Sequence, residues 1–231
     1  VQNPKRVLVV DDDDSIVELM RDFLEADGFH VDMAPDGAAA LGVINRTDVD
    51  CVLLDLMMPG ISGFEVLRKI RDSSDVPVLI LSARQEDSDK IRGLGIGADD
   101  YIVKSATPTE IIARIKAVLR RVQRSEPAVA PTIDYGRLVI DPRAHEVTVD
   151  GATVEFTPRE FELLQLLAEY PRQVFTRENL YERFWGTYGD RHTLTVHIRR
   201  LREKIEEDPA TPRLIVTVWG VGYRFEGERR S

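Results

Sequence analysis

The chain has 231 residues, 43% of them hydrophobic and 31% charged, and carries a net charge of -9. That length allows two ordinary domains, each with its own core, and the balance excludes both a disordered chain and a protein that coats nucleic acid indiscriminately. Cys51 is the only cysteine, which excludes an internal disulfide and a thiolate metal cage.

From Arg6 to Arg121, apolar strand-sized runs alternate with segments of helical period. Val7–Val10, Val31–Ala34, Cys51–Leu54, Val78–Leu81 and Tyr101–Val103 read as strands. Between the first two, Ile16, Leu19, Met20, Phe23 and Leu24 have the 3-and-4 spacing of an amphipathic helix. Five such repeats predict an α/β domain over residues 1–122, wound into an open parallel sheet whose ligands bind beyond the carboxyl ends of the strands. Gln123–Thr132, with two prolines and no apolar period, reads as a linker. Residues 133–231 follow, with short runs at Leu138–Ile140, Val147–Val149 and Val154–Phe156, three helical patterns and a closing hairpin-like run over Leu214–Phe225. This order predicts a small α+β domain. No apolar run is long enough to cross a membrane and no basic start precedes an apolar core, so a cytoplasmic protein without membrane contact is expected.

The chemistry concentrates at the predicted strand ends. Asp11, Asp12, Asp13 and Asp14 follow the first strand and Asp55 the third, and sheet topology brings these ends together. Adjacent carboxylates repel, and hard oxygen ligands with room for water suit Mg²⁺. Ser82 and Lys104 add a hydroxyl and a cation at the same edge. A carboxylate can attack phosphorus when a metal and such donors hold the equatorial oxygens, so Asp55 is the expected nucleophile of a phosphoryl site. Asp13 and Asp14 read as caps of the first helix.

The acid excess is mostly N-terminal. Residues 1–122 hold 15 basic and 22 acidic side chains, and residues 123–231 hold 16 and 18. Against that background Arg191, Arg199, Arg200, Arg202 and Lys204 face the single acid Glu203. Leu194, Ile198, Leu201 and Ile205 give this segment one apolar face. Thr193, His197, Arg200 and Lys204 repeat the spacing on another, with Val196, Arg199 and Arg202 beside it. A basic face on a docked helix suits a major groove, where arginine grips guanine or phosphate and Val196 meets a thymine methyl. His197 and Trp185 also read as packing residues.

The motifs VLVVDDDD, LLDLMMPGISG, LILSAR and GADDYIVK resemble the receiver domain of bacterial two-component response regulators. FTPREFELLQLL, VFTRENL, HIRRLREKI and TVWGVGYRF resemble the winged-helix effector of the OmpR/PhoB-like regulators. The resemblance implies a flavodoxin-like (βα)5 receiver and a winged-helix DNA-binding domain. It implies a phosphoacceptor Asp55, with Mg²⁺ held by Asp12, Asp55 and the Met57 main-chain carbonyl and reached by Asp11 through water. Lys104 and Ser82 would contact phosphoryl oxygens, and Ser82 and Tyr101 would form the switch. Lys90, Asp99, Asp100, Glu110 and Arg114 would line a receiver dimer, pairing Lys90 with Glu110 and Asp100 with Arg114. The helix near His192 would enter a major groove, with Arg191, Thr193, Val196, His197, Arg200, Arg202 and Lys204 as contacts, and a wing carrying Thr217 and Arg224 would touch a minor groove.

The implied partners are a sensor histidine kinase, promoter DNA with direct-repeat half-sites, a second copy of the chain on phosphorylation and, as a further candidate, RNA polymerase. The resemblance implies a transcriptional switch and not a turnover enzyme. Two alternatives stand beside it: a phosphorylation-independent DNA-binding regulator with a vestigial receiver, and a haloacid-dehalogenase-like phosphatase. The latter wants a second acid where Met57 stands. Three positions depart from the family pattern. Lys104-Ser105-Ala106 replaces Lys-Pro-Phe with its cis peptide, and since a non-proline cis bond costs about 3 kcal/mol a trans bond is expected. Trp219 stands where an arginine is usual in the wing, and Thr195 where an acid is common.

Overall fold

The computed structural model describes residues 4–83, 86–124, 131–186 and 192–230, which divide into two compact units with their main boundary between Val122 and Gln123. In the first, β1 (Arg6–Val10), β2 (His30–Ala34), β3 (Cys51–Leu54), β4 (Val78–Ser82) and β5 (Asp100–Val103) form one parallel sheet in the order β2-β1-β3-β4-β5. Helices α1 (Asp14–Ala26), α2 (Gly37–Ile44), α3 (Gly63–Arg71), α4 (Asp87–Ile96) and α5 (Pro108–Arg124) connect the strands. This is the flavodoxin-like winding expected. β3 and β4 are buried at every position, which is why they read as unbroken apolar runs, whereas the edge strand β2 buries only Val31 and Ala34. α1 buries Val17, Met20 and Leu24, and the Asp13 carboxylate caps it by accepting from the Ser15 N–H at 2.9 Å. The strand order reverses between β1 and β3, and that reversal opens a crevice at their carboxyl ends.

In the second unit β6 (Ile133–Asp134), β7 (Leu138–Asp141), β8 (Glu146–Val149) and β9 (Ala152–Val154) form a four-stranded antiparallel sheet. Then come α6 (Pro158–Glu169), β10 (Val174–Thr176), α7 (Arg177–Trp185) and α8 (His192–Ile205). β11 (Ile215–Val218) and β12 (Gly222–Phe225) close the chain as a hairpin in a three-stranded sheet of order β10-β12-β11. α6 opens with a capping box in which Thr157 and Glu160 satisfy each other's backbone N–H groups. Phe161, Leu164, Leu201, Ile205 and Phe225 are fully buried, as expected of helices packed on a small sheet.

Three expectations shift. The strand predicted at Val154–Phe156 lies at Ala152–Val154, because Glu155 to Thr157 turn into the cap of α6. α5 continues through Arg124, two residues into the predicted linker, since nothing before Pro127 breaks a helix. β10 is too short to show a period and exists through its pairing with β12, where a Cβ on Gly222 would overlap the Phe175 carbonyl oxygen. Linker residues 125–130 and the predicted DNA contact Arg191 lie outside the described residues. Among the described residues no helix is long and apolar enough to cross a membrane.

Candidate functional site

Backbone hydrogen bonds draw the strand ends of the first unit together. The Asp55 N–H donates to the Val10 carbonyl at 2.9 Å, the Asp11 N–H to Ala34 at 3.2 Å and the Lys104 N–H to Ser82 at 2.9 Å. Each residue just past a strand is thus held by its neighbouring strand. Gly63, the first residue of α3, passes so close to Asp55 that a Cβ there would overlap the Asp55 carbonyl oxygen and the Leu56 backbone. The second glycine of the PGISG run is therefore a steric requirement of the site.

Asp11 and Asp55 are each 2% exposed, while Asp12 is exposed. Single carboxylate oxygens of the three lie within 4.8 Å of one another. The Asp13 N–H donates to Asp11 Oδ1 at 3.0 Å and the Met57 N–H to Asp55 Oδ1 at 3.2 Å. Lys104 Nζ lies 2.7 Å from Asp11 Oδ2 and 2.8 Å from Asp55 Oδ2. Burial raises the Asp11 carboxyl above its ordinary range, against the lowering influence of Lys104 and the Asp13 N–H. Burial works against the Lys104 ammonium, but its hydrogen bonds to Asp11 and Asp55 prevail and its pKa is raised. No cis peptide occurs among the described residues, so Lys104–Ser105 is trans, as expected on energy, and Lys104 reaches both acids without the family's proline. Ser82 ends β4 fully buried, and Tyr101 is buried in β5 beside Gly93 of α4.

The charges expected at a dimer face are engaged within the chain. Asp99 Oδ2 pairs with Arg71 at 2.9 Å and accepts from the Val78 N–H at 3.0 Å, so this carboxylate clamps the start of β4 from inside. Arg114 holds Asp100 at 2.9 Å and Glu110 at 2.7 Å. Lys90 lies 3.9 Å from Asp87 one turn away.

On α8 the apolar stripe of Leu194, Ile198, Leu201 and Ile205 is buried, and the predicted DNA face needs redrawing around it. At about 100° per residue, Thr193, His197 and Lys204 flank the stripe, whereas His192, Val196 and Glu203 lie opposite it, with Arg199 and Arg200 to either side of them. Accordingly Thr193 and His197 are buried, and burial, reinforced by Arg159 and Lys204, lowers the His197 pKa to about 3. Lys204 Nζ reaches the Glu155 carbonyl at 2.7 Å and Glu160 Oε2 at 2.5 Å, fastening α8 to the cap of α6. Arg202 donates to the Ile215 carbonyl and to Thr217 Oγ1, both at 2.9 Å, fastening α8 to the hairpin. These two cations and the Thr217 hydroxyl are struts. Arg224 pairs with Glu226.

The outward groups are Thr195, Val196, Arg199 and Arg200, with the two arginines loosely paired to Glu203 at 2.9 and 3.5 Å. Val196 and Glu203 stand at the centre of this outward face, with Arg199 and Arg200 on either side of it.

Known proteins divide along the same lines. Residues 7–116 match the family model of the response regulator receiver domain, and residues 151–225 that of the transcriptional regulatory protein C-terminal domain. The chain is 42% identical to the transcriptional regulatory protein ResD of Bacillus subtilis, covering 97% of each chain. It is 43% identical to the DNA-binding response regulator MtrA of Mycolicibacterium smegmatis, covering 95% of this chain and 96% of that one. Among solved structures, the Thermotoga maritima OmpR/PhoB homologue DrrB aligns with 34% identity and a TM-score of 0.52 over 97% of this chain and 100% of that one. A RitR mutant aligns over the same shares with 26% identity and a TM-score of 0.75.

Proposed function

The chain belongs to the OmpR/PhoB-type response regulators, two-component transcriptional regulators with a DNA-binding domain, and on that premise we propose that Asp55 is its phosphoacceptor and that phosphorylation governs its association with promoter DNA. The observation that carries this reading is the bridge of Lys104 across the buried Asp11 and Asp55, beside the exposed Asp12.

Three carboxylates against one ammonium leave an excess of negative charge, and their oxygens are hard donors within one ion's reach of each other. Mg²⁺ fits that donor set, and Asp11, Asp12, Asp55 and the Met57 main-chain carbonyl would be the residues to hold it. When bound, it neutralises charge between the carboxylates and an incoming phosphoryl group. The Asp55 carboxylate forms the bond to phosphorus as the bond to the donor's leaving group breaks. Lys104 is placed to release a carboxylate and take a phosphoryl oxygen, and the Ser82 hydroxyl donates to another. Tyr101 follows Ser82, which links the pocket to the α4, β5 and α5 face where Lys90, Asp100, Glu110 and Arg114 stand, while Asp99 is turned inward onto Arg71.

A sensor histidine kinase is the donor in this reading. Two receivers then pair and set two effector domains on direct-repeat half-sites, with α8 in a major groove through Val196, Arg199 and Arg200, and the hairpin of β11 and β12 alongside. RNA polymerase is the partner downstream. The phosphatase alternative loses its footing because Met57, half exposed, provides no second acid.

The test uses the full chain with Mg²⁺ and acetyl phosphate. Wild type gains one acid-labile phosphoryl mass, and Asp55→Asn and chelated samples gain none. Wild type without the adduct overturns the reading, and an adduct that leaves both dimerisation and DNA affinity unchanged favours a vestigial receiver.

A further inference from the structure

The run from Cys51 to Met58 is buried at every position but one: Met57, 51% exposed between buried Leu56 and Met58. This residue is also tied to the acid cluster. Its N–H donates to Asp55 Oδ1 at 3.2 Å, and it stands two positions along the chain from that carboxylate. In the proposed reading its main-chain carbonyl serves Mg²⁺ as well. The backbone of Met57 thus belongs to the site, while its side chain is open to solvent.

A thioether is a soft, polarizable group that peroxides convert to a sulfoxide, which makes an apolar side chain polar. The chain has four methionines and one cysteine. Met20 and Met58 are buried, and Met33, on the edge strand β2, is 44% exposed. Cys51 is fully buried, and that burial pushes its thiol far above the ordinary range, so it offers no thiolate to an oxidant. Two side chains therefore present sulfur to solvent, Met33 and Met57, and the second adjoins the phosphoryl site.

We infer that Met57 is an oxidation site through which a hydroperoxide lowers the receptivity of Asp55 to phosphoryl transfer. This inference rests on the proposed phosphorylation of Asp55. A sulfur lone pair attacks one peroxide oxygen, and the S–O bond forms as the O–O bond breaks. The departing oxygen takes the peroxide proton and leaves as water or an alcohol, so sulfur is oxidised and the peroxide reduced by the same electron pair. The new oxygen carries the negative end of the S–O dipole and accepts hydrogen bonds. It arises beside three carboxylates that face a single ammonium, and adds to the repulsion that an anionic phosphoryl donor meets on approach. Sulfoxide reductases undo the change, so the effect is reversible.

The test treats the full chain with hydrogen peroxide, maps sulfoxides in its methionine peptides by mass, and measures phosphoryl uptake from acetyl phosphate with Mg²⁺. Each sample is compared with its own untreated control. Wild type should gain an oxygen at Met57 and at Met33 but not at Met20 or Met58, and its uptake should slow by about threefold. Met33→Leu should respond to peroxide as wild type does. Met57→Leu, which keeps the apolar bulk without the sulfur, should not respond. Reductases for both sulfoxide epimers, added together, should restore the wild-type rate.

A Met57 that stays reduced while Met33 is oxidised overturns the inference. So does an uptake rate that peroxide leaves unchanged or raises, or one that falls equally in Met57→Leu. Untreated wild type that takes up no phosphoryl group overturns the reading of Asp55, and this inference with it, whatever the mass map shows.

Discussion

Replacing His197 by leucine should remove a defined part of the acid sensitivity of the DNA-binding unit. In the folded chain burial holds this imidazole neutral down to about pH 3, whereas in the unfolded chain it titrates near its ordinary 6.5. Below pH 6.5 the unfolded chain takes up a proton that the folded chain refuses, so stability is complete above that pH and is lost progressively as pH falls toward about 3. Between pH 7.5 and 5.5 the loss from this one group is about 1.4 kcal/mol, enough to lower the midpoint of a domain this size by about 5–10 °C. Urea unfolding at both pH values, followed by pulse-labelling hydrogen exchange in peptides covering 192–205, reads this unit apart from the receiver. Wild type should lose about 1.4 kcal/mol more than His197→Leu between the two conditions. Equal losses would refute a buried neutral imidazole, and a histidine free to meet a base edge would show that equality.

Other expectations follow from the same contacts. Lys204→Ala strips Glu160 of its cation and should cost about 1–2 kcal/mol in urea unfolding, with no change in the salt slope of DNA binding, because this lysine spans helices and not phosphates. Arg114→Ala leaves the fully buried Asp100 without that guanidinium and should cost about 3 kcal/mol, while the double variant with Asp100→Asn should regain much of the loss. Gly63→Ala drives a methyl against the Asp55 backbone and should both destabilise the receiver by about 2 kcal/mol or more and slow phosphoryl uptake from acetyl phosphate. An uptake rate equal to wild type would show that α3 can retreat without moving Asp55.

The receiver was readable because its strands are short buried runs, and each ends at a polar residue that the topology then gathers. Asp11, Asp55, Ser82 and Lys104 are adjacent in space for the same reason that they follow strands in sequence. Asp99 was harder. Next to Asp100, it looks like surface charge, and only the position of Arg71 on α3 turns it inward. On α8 the period was right and the phase was wrong. A helix flank wet in isolation is dry once α6 packs on it, which is how His197 and Lys204 moved from reading groups to core and strut. β10 could not be read from three residues, since its existence depends on a glycine more than forty residues away. Trp219 was visible as an oddity, but its exposure needed the turn between β11 and β12.

The grip of Arg114 on both Asp100 and Glu110 bears on how a receiver of this kind is switched. A monomer that already satisfies its own acids has no unmet electrostatic demand for a partner to relieve. If the same groups re-pair across a two-fold axis, the number of ion pairs is conserved and the gain from each new contact is offset by one surrendered. The net affinity is then set by small differences: side-chain order, a few apolar contacts, and the position of α4 relative to β5. A balance held near zero in this way is tipped by a modest input, so a displacement of Ser82 and Tyr101 worth about 1–3 kcal/mol would be enough to redistribute the population between one copy and two.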